Sequence, residues 1–428
     1  MSKLEIKVAE FLEKNVFLLM VIAGTVLALA LRFAAYSYIS SDMEGYLLGW
    51  YAQIENLGGM KALNVQVGNY CVIYQTLIAL MTYIPVDAVW QYKSLSVLFD
   101  FILAIAVGRM VMELSDSKIK GYVTYLLVLL SPITFMNSAV WGQCDAIYTS
   151  FIIMALCAFI REKYPASFIF YGVACAFKLQ AAFILPFFLF AYVRKKKFSV
   201  LNFVIIPVVM EVLCIPAMIM GRGIKVAFSV YYYQTFSCDK MFFNYPSFWT
   251  IVSDNIENVA DFVMYRQTMR TVAIVLTVAV LMLLMGYLLY KKVEVSGSNV
   301  AYISFIFVFT CVMFLPGMHE RYGFVYEILA LLIAFFIPKT IPLLTTIYSL
   351  TAITYGQCLF GGPDVTRTMG VINLLLCVAY VMVLFRKMTE GQESSEGPGT
   401  TVTPIVTEDR GPVEPNVLIA EKSCYVHD

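Results

Sequence analysis

The sequence predicts an all-α polytopic membrane protein with about twelve transmembrane helices, and two observations support this class. Of the 428 residues, 60% are hydrophobic and 14% are charged, with a mean hydropathy of +0.78. Such a chain cannot surround a soluble core with a polar shell. Apolar runs also recur along the chain, and the first is about 20 residues long, enough to cross ~30 Å of hydrocarbon. The net charge of +1 gives no reason to expect nucleic acid as a partner.

The first span is predicted over residues 16–35. Lys3, Lys7 and Lys14 precede this run, which is too long for the core of a signal peptide, so the N-terminus is expected in the cytoplasm. The other predicted spans are the apolar runs at about 94–112, 121–137, 146–160, 166–177, 180–193, 198–219, 271–290, 299–315, 324–337, 340–359 and 369–385.

The apolar run at 70–84 is the difficult one, because about 15 residues reach only ~22 Å as a helix. If it lies in the interface, the short basic loops all face the cytoplasm, and residues 36–93 and 221–270 form external loops. In a competing arrangement it crosses the membrane, 166–193 is a single tilted helix, and several basic residues move outside. The residues that the favoured arrangement places in the cytoplasm are Lys118, Lys120, Arg161, Lys163, 194–197, Lys291, Lys292, Lys339, Arg386 and Lys387.

Asp42 follows the first span closely and is the candidate general base. Glu44, Tyr46, Trp50 and Tyr51 come directly after it, and aromatic rings beside an acid are a common way to hold a sugar. Aromatic belts are equally common at membrane interfaces, and an acid at a helix end can simply face solvent. The favoured arrangement places Asp42 on the same side as two other polar clusters, Trp141-Gly-Gln-Cys-Asp145 and Met318-His-Glu-Arg-Tyr322. Acids and bases on one side of a membrane groove suggest chemistry on a lipid-borne substrate.

Lys178 and Gln180 interrupt an apolar stretch, where an ammonium group is costly unless it is paired or faces water. They are predicted to form a turn between two short helices, with Lys178 either contacting a lipid phosphate or reaching the headgroups. In the third cluster, Arg321 could bind phosphate while Glu320 orients His319. An internal ion pair in an interfacial loop is the alternative.

Asp145 has three alternative roles at this point: it could orient the acceptor, bind a metal together with other acids, or cap the following helix. Glycosyl transfer from a polyprenyl-phosphate sugar suits the residue types on this side of the membrane. A carboxylate would take the proton of the acceptor hydroxyl, and cations would stabilise the leaving phosphate.

Together, Ser41-Asp-Met-Glu-Gly-Tyr46, Trp141-Gly-Gln-Cys-Asp145, Phe177-Lys-Leu-Gln180 and Met318-His-Glu-Arg-Tyr322 resemble the GT-C fold glycosyltransferases. The likeness is nearest to bacterial membrane proteins related to the mannosyltransferases of glycosylphosphatidylinositol assembly. It covers about residues 16–387. It implies a lipid-phosphate sugar as donor, a glycan or lipid-linked acceptor on the non-cytoplasmic face, Asp42 as base, and donor-phosphate contacts from Lys178 and Arg321.

The full set of expected site residues follows from these motifs. Asp42, Glu44 and Asp145 are the catalytic candidates. The candidates for substrate binding are Trp141, Gln143, Lys178, Gln180, His319, Glu320, Arg321 and Tyr322. No metal ligand set and no cofactor is predicted. The chain has Asp42-Met-Glu44 in place of a clean Asp-x-Asp motif, which leaves a requirement for a divalent cation open.

The domain prediction is a transmembrane unit over 1–387 and a disordered cytoplasmic tail over 388–428, because Gly, Ser, Glu, Pro and Thr dominate the tail. The aromatic-rich loop 221–270 is either a lid over the acceptor or a segment packed on the interface. Two other functions remain as alternatives: a polymerase or ligase of lipid-linked glycans, and a flippase or transporter. A transporter would place its key polar residues near the midplane, whereas these clusters lie at one surface.

Overall fold

The computed structural model describes residues 2–237, 240–252 and 259–393, and over these ranges the architecture is all-α. The helices before the second polar cluster are α1 (Lys3–Ala34), α2 (Leu48–Asn56), α3 (Val72–Met81), α4 (Ala88–Ser115), α5 (Lys118–Leu130) and α6 (Pro132–Phe135). The central helices are α7 (Asp145–Ile160), α8 (Tyr164–Phe177), α9 (Leu185–Lys195), α10 (Asn202–Leu213), α11 (Ile215–Ile219), α12 (Val226–Ser237) and α13 (Trp249–Val252). The last are α14 (Val259–Tyr290), α15 (Asn299–Phe314), α16 (Phe324–Phe336), α17 (Ile341–Phe360) and α18 (Thr366–Glu393).

Short segments of other geometry connect these helices. Two two-residue strands, β1 (Phe242–Phe243) and β2 (Met318–His319), pair in parallel. The remaining segments are π-helical turns at Met43–Leu47 and Met136–Val140 and 3₁₀ helices at Gly59–Asn64, Leu179–Ile184 and Pro338–Thr340.

Four helices of the described chain are each long and apolar enough to cross a bilayer: α1, α4, α18, and α14 from Thr268 onward. A fifth span results if α5 is counted together with the segment Pro132–Val140, to which it is joined at a bend of 44°. Several other predicted spans are shorter helices, including α15 and α16, which are buried almost all round. A helix that is apolar on every side belongs inside a bundle. The twelve predicted spans are therefore not confirmed.

The region 70–84 is not a spanning helix. Its helical part, α3, has ten residues, which is ~15 Å. The helix packs on the 3₁₀ helix Gly59–Asn64, and Gln75 Nε2 fastens the two by donating to the carbonyl oxygens of Ala62 (3.1 Å) and Val65 (2.9 Å). Most of its side chains are buried. The helix is thus packed against the protein, while Leu80, Tyr83 and Ile84 at the end of the run are exposed.

Residues 166–193 do not form one continuous helix, so the competing arrangement is wrong on this point. Helix α8 ends at Phe177, and Lys178 has extended backbone angles (φ −155°, ψ 137°) before the 3₁₀ helix begins. The predicted break between two short helices at Lys178 is confirmed.

The segments predicted as external loops, and the first residues of the predicted tail, contain helices. The first loop, 36–93, contains α2, α3 and the first residues of α4, and the second, 221–270, contains α12, α13 and the start of α14. Helix α18 runs to Glu393, beyond the predicted boundary at 388. Met388 is buried and Arg386 pairs with Glu390 one turn later, which stabilises this extension. The rest of the predicted tail, 394–428, lies outside the described residues.

Basic side chains gather at one end of the bundle. Arg161, directly after α7, pairs with Glu113 near the end of α4 at 2.5 Å. The adjacent Glu162 pairs with Lys195 and Lys197 at 3.0 Å each. Asp145 begins α7, so the second polar cluster lies about 16 residues away along this helix, ~24 Å. The bundle therefore has a basic end and an opposite end that carries the predicted site.

A buried ion pair joins three elements near the site. Arg32 of α1 donates through Nε to Asp100 Oδ2 of α4 at 2.9 Å, and Ser138 of the π-helical turn donates to the same oxygen. Arg32 and Asp100 are 1% and 0% exposed. The pair holds the π-helical turn that precedes the Trp141 cluster against α1, the helix that precedes Asp42.

We expect Arg32→Met to destabilise the protein by about 3–5 kcal/mol, because it leaves the Asp100 carboxylate buried without its cation. The double variant Arg32→Met/Asp100→Leu is expected to regain most of that loss, since no unpaired charge remains. Arg161→Ala is the matched control, because its pair with Glu113 is partly exposed and such pairs contribute less than about 1 kcal/mol. Thermal unfolding in detergent measures all three, and equal midpoints for Arg32→Met and Arg161→Ala would contradict the assignment.

Candidate active site

A cavity of about 650 Å³ opens at the end of the bundle opposite the basic turns. One part of its wall comes from the segment that contains Asp42, and another from residues 315–322 together with the break at Lys178. The lining includes seven of the eight predicted substrate-binding residues: Gln143, Lys178, Gln180, His319, Glu320, Arg321 and Tyr322. The fold thus brings together motifs that are far apart in sequence.

Asp42 is held by the Trp141 cluster. Its Oδ2 accepts hydrogen bonds from Trp141 Nε1 at 3.0 Å and Gln143 Nε2 at 3.2 Å. Both hydrogen bonds that Asp42 accepts from described residues fall on this oxygen, and Asp42 lines the cavity. Gly142, between the two donors, has φ +73°, a conformation that favours glycine. The cluster is therefore shaped to orient the carboxylate.

The first turn of α4 also fixes the segment that carries Asp42. Sequence reasoning placed these residues in or beside an external loop and assigned them no role. Three consecutive side chains make the contacts: Gln91 Nε2 donates to Tyr51 Oη (3.0 Å), Tyr92 Oη to Leu47 O (3.0 Å), and Lys93 Nζ to the carbonyl oxygens of Ala35 (2.8 Å), Tyr36 (3.3 Å) and Tyr38 (2.5 Å). Lys93 thereby satisfies carbonyl groups left open where α1 ends.

Asp145 lies behind the cavity and does not line it. It is 0% exposed, and it forms ion pairs with Lys178 through Oδ1 and with Arg321 Nε, which is 3.5 Å from Oδ2. Asn137 Nδ2 donates to Oδ2 at 3.0 Å. Its catalytic role stays a prediction, and its side chain makes no capping hydrogen bond to α7. In this structure Asp145 forms ion pairs with two cations that do line the cavity.

Lys178 points inward and does not extend to the headgroups. Its ammonium group lies 5.5 Å from the ring centroid of Tyr148 and 5.6 Å from that of Tyr322, in addition to its pair with Asp145. The aromatic rings and the carboxylate make the buried charge tolerable. Gln180, in the 3₁₀ helix that follows, also lines the cavity.

The third cluster is held by the short sheet. Strand β1 pairs with β2, and the Phe243 ring stacks on His319 with centroids 4.4 Å apart and planes at 4°. Met241, Phe243 and Asn244 of the aromatic-rich loop form part of the cavity wall, and the lid alternative for this loop stays a prediction. Asp239 and Asp254 of the same loop lie outside the described residues.

Burial and the nearby cations set the protonation of this cluster. Burial, together with the charges of Arg321 and Lys178, lowers the pKa of His319 to about 3, so the imidazole is neutral. Burial raises the pKa of Glu320 to about 7, although the Arg321 charge opposes this rise. Arg321 Nε faces the Asp145 carboxylate, and Nη1 is buried without a hydrogen-bond partner among the described residues. Because Arg321 also lines the cavity, its charge can attract an anion there.

Glu320 predicts a pH dependence. Its carboxyl lies 4.0 Å from Arg321 Nη1, so its ionisation as the pH rises through about 7 adds a competitor for an anionic ligand. We expect the KM of a phosphate-containing donor to rise several-fold between pH 6 and pH 8, and Glu320→Gln to remove that step. The raised pKa also means that the folded state binds the proton more tightly, so this group favours folding at low pH and less as the pH rises. Donor KM measured against pH for both proteins tests this, and a step that persists in Glu320→Gln would contradict it.

Glu44 is not brought into the site. It lies exposed on the π-helical turn and does not line the cavity, whereas Asp42, two residues earlier, does. Within residues 2–237, 240–252 and 259–393, no group of three His, Cys, Asp or Glu side chains is placed to hold a metal ion.

The family model of glycosyltransferase family 87 matches residues 70–316, more than half of the chain. The chain belongs to this family. The predicted activity class, glycosyl transfer, is thereby confirmed for a protein whose long apolar helices indicate a membrane location. The match to family 87 includes the Trp141 cluster and Lys178, while Asp42 and residues 318–322 lie outside it. No curated protein matches the chain.

Several residues of this family 87 site were missed in the sequence. Asn137 and Tyr70 each bond a predicted site residue, since Tyr70 Oη donates to Gln143 Oε1 at 2.8 Å. Lys240 and Arg270 add basic groups to the cavity lining. Asn137 precedes Trp141 by four residues, and this spacing, typical of neighbours on one helix face, was an available signal. Tyr70 and Lys240 lie in loops and Arg270 lies in α14, and the sequence does not reveal which groups these residues approach.

Proposed function

We propose that the protein transfers a sugar from a polyprenyl-phosphate donor to a glycan or lipid-linked acceptor on the non-cytoplasmic face of the membrane, with Asp42 as the general base. One observation carries the proposal. The Trp141 indole donates its N–H to Asp42 while its ring lies 5.8 Å from Arg321 Cζ. A single side chain thus separates a cavity-lining carboxylate from a cavity-lining cation, the two groups that this reaction needs.

The transfer proceeds in one displacement. Oδ1 of Asp42 takes the proton of the acceptor hydroxyl as that oxygen attacks the anomeric carbon, and the bond from this carbon to the phosphate oxygen breaks. The polyprenyl phosphate leaves with the electron pair. Arg321 and Lys178 stabilise its charge, and because Asp145 already orients both cations, they need little rearrangement.

The cavity lining suits a lipid-linked donor. Apolar side chains, including Phe177, Phe183, Ile274 and Leu315, line the same space as the cations. A prenyl chain can lie against these side chains while its phosphate reaches Arg321. Because the basic turns lie at the other end of the bundle, the positive-inside rule favours a non-cytoplasmic location for the cavity and a cytoplasmic location for both termini. A hexose is the expected sugar, and mannose is the first to test.

The alternatives fit these contacts less well. A flippase has no need for a cavity-lining carboxylate that two donors hold through one oxygen. A polymerase acting on diphosphate-linked glycans would rely on His and Arg in a large external loop, whereas residues 221–270 contain no His. Membership of a glycosyltransferase family also favours transfer over transport.

The test uses cells that lack the gene, complemented with the wild-type gene or with an empty vector. Mass spectrometry quantifies polyprenyl-phosphate sugars and the composition of surface glycans. We expect one lipid-phosphate sugar to accumulate in the empty-vector cells while the same sugar disappears from a surface polymer. Accumulation of a completed lipid-linked glycan would instead favour a flippase or polymerase.

A further inference from the structure

The backbone of Gly68 covers one face of the Trp50 ring. A Cβ at Gly68 would lie 2.5 Å from Trp50 Cδ2, 2.6 Å from Cε2 and 3.0 Å from Cε3, so the backbone of Gly68 lies flat on the indole. Gly68 also has φ +69°, a conformation that residues with a side chain rarely adopt. No other residue fits between this loop and the ring.

The loop that seals Trp50 is itself held in place. Gln66 Nε2 donates to the carbonyl oxygens of Gly68 (3.1 Å) and Tyr70 (2.8 Å), and Arg222 Nη2 donates to Gln66 Oε1 at 2.9 Å. The Tyr70 ring meets the indole edge-on, with centroids 5.3 Å apart and planes at 79°. The indole is therefore held in one orientation before any ligand binds.

The remaining surface of the indole belongs to the cavity. Trp50 is part of the cavity lining, and among described residues its aromatic neighbours contact it edge-on or tilted, with Tyr46 at 6.0 Å and 45°. A tryptophan that anchors the protein in the membrane interface would turn its ring outward, as Trp90 does with 40% exposure. Trp50 is instead a rigid aromatic plane inside the proposed active site.

The position of Trp50 relative to Asp42 assigns it to the acceptor. It lies eight residues beyond Asp42 along a nearly continuous helical segment, roughly 12 Å. Tyr70, which supports the ring, also donates to Gln143, which in turn donates to Asp42. A general base must touch the acceptor hydroxyl, whereas the donor phosphate belongs near Arg321 and Lys178. The part of the cavity wall that carries Asp42 is therefore the part that contacts the acceptor.

We propose that Trp50 is the platform of an acceptor subsite that takes a neutral pyranose ring. This inference rests on the proposed function and deepens it, because it makes the acceptor a carbohydrate. The C–H bonds on one face of a pyranose carry partial positive charge, and they contact the negative face of an indole favourably. A ring that is already fixed loses little conformational entropy when the sugar binds.

The test measures sugar binding directly and needs no activity. Saturation-transfer NMR on the full-length protein in detergent uses methyl glucoside, methyl galactoside and methyl mannoside as probes. We expect at least one to show saturation of its ring C–H protons with wild type, and this signal to fall about ten-fold in Trp50→Leu and less in Trp50→Phe. Trp90→Leu is expected to keep it, because Trp90 does not line the cavity, and thermal midpoints establish that each variant is folded.

Each outcome decides the inference. No binding to wild type, an unchanged signal in Trp50→Leu, or an equal loss in Trp90→Leu overturns the subsite. If Trp50→Leu does not fold, Trp50→Phe and Gly68→Ala replace it, because the alanine methyl group would displace the indole, and a full signal in both would equally overturn the subsite. The proposed transfer reaction is tested separately, by the lipid-phosphate sugars in cells. The transfer proposal can therefore be contradicted while sugar binding at Trp50 is confirmed, and sugar binding can be contradicted while the transfer proposal is confirmed.

Discussion

Asp42→Asn is expected to abolish sugar transfer while the protein remains in the membrane at normal abundance. The amide has nearly the shape of the carboxylate, and its oxygen can still accept the hydrogen bonds of Trp141 and Gln143. It cannot take a proton from an acceptor hydroxyl. A positioned general base contributes about 10²–10⁴-fold to a rate, so a loss of at least that size is expected.

Glu44→Gln is the matched control for this prediction. It removes one carboxylate from the same short segment, but Glu44 is exposed and does not line the cavity. We expect it to complement the deletion fully, with wild-type lipid-phosphate sugars and surface glycan by mass spectrometry and unchanged abundance by immunoblot. Near-normal transfer in Asp42→Asn, or an equal loss in Glu44→Gln, would remove Asp42 from the mechanism.

The contrast between these two acids illustrates what the sequence could reveal about the site. Polar clusters between apolar runs predicted Asp42, Trp141, Gln143 and Arg321 as site residues, because charged and amide groups are costly in a membrane, and the fold brings three of these four to the cavity lining. The partners of each side chain could not be read from sequence. Trp141 and Gln143 were predicted to bind substrate, and their hydrogen bonds to Asp42, which lies about 100 residues earlier in the chain, were not predicted.

The fold was predictable where apolar periodicity is long and unbroken. Helices α7, α8 and α15 lie close to their predicted positions, and the break at Lys178 was foreseen, whereas α1 begins at Lys3, well before the predicted start at residue 16. Sequence could not distinguish a lipid-facing span from a short helix enclosed by others, since α15 is apolar on every side and is buried. The start of α4 was missed because Gln91, Tyr92 and Lys93 interrupt its apolar pattern. Those same residues fix the segment that carries Asp42.

Asp145→Asn is expected to affect both folding and activity, because Asp145 is the only side chain the structure describes in ion pairs with both Lys178 and Arg321. Losing its charge leaves two buried cations repelling each other without a shared anion. Removing one partner of a buried pair costs about 3–5 kcal/mol, a large part of the free energy of unfolding of a typical protein. Thermal midpoints and membrane abundance measure the first effect, and transfer measures the second.

The companion variants separate the two effects. Lys178→Met leaves Asp145 paired with Arg321, so we expect transfer to fall sharply with a smaller loss of stability. The double variant Asp145→Asn/Lys178→Met no longer places two cations beside a neutral group. We therefore expect it to regain much of the stability that Asp145→Asn loses, but we expect it to show no sugar transfer. If Asp145 acted on the substrate itself, Asp145→Asn would lose activity at a wild-type midpoint. That result would support the predicted place of Asp145 among the catalytic acids and contradict its role as the group that positions the two cations.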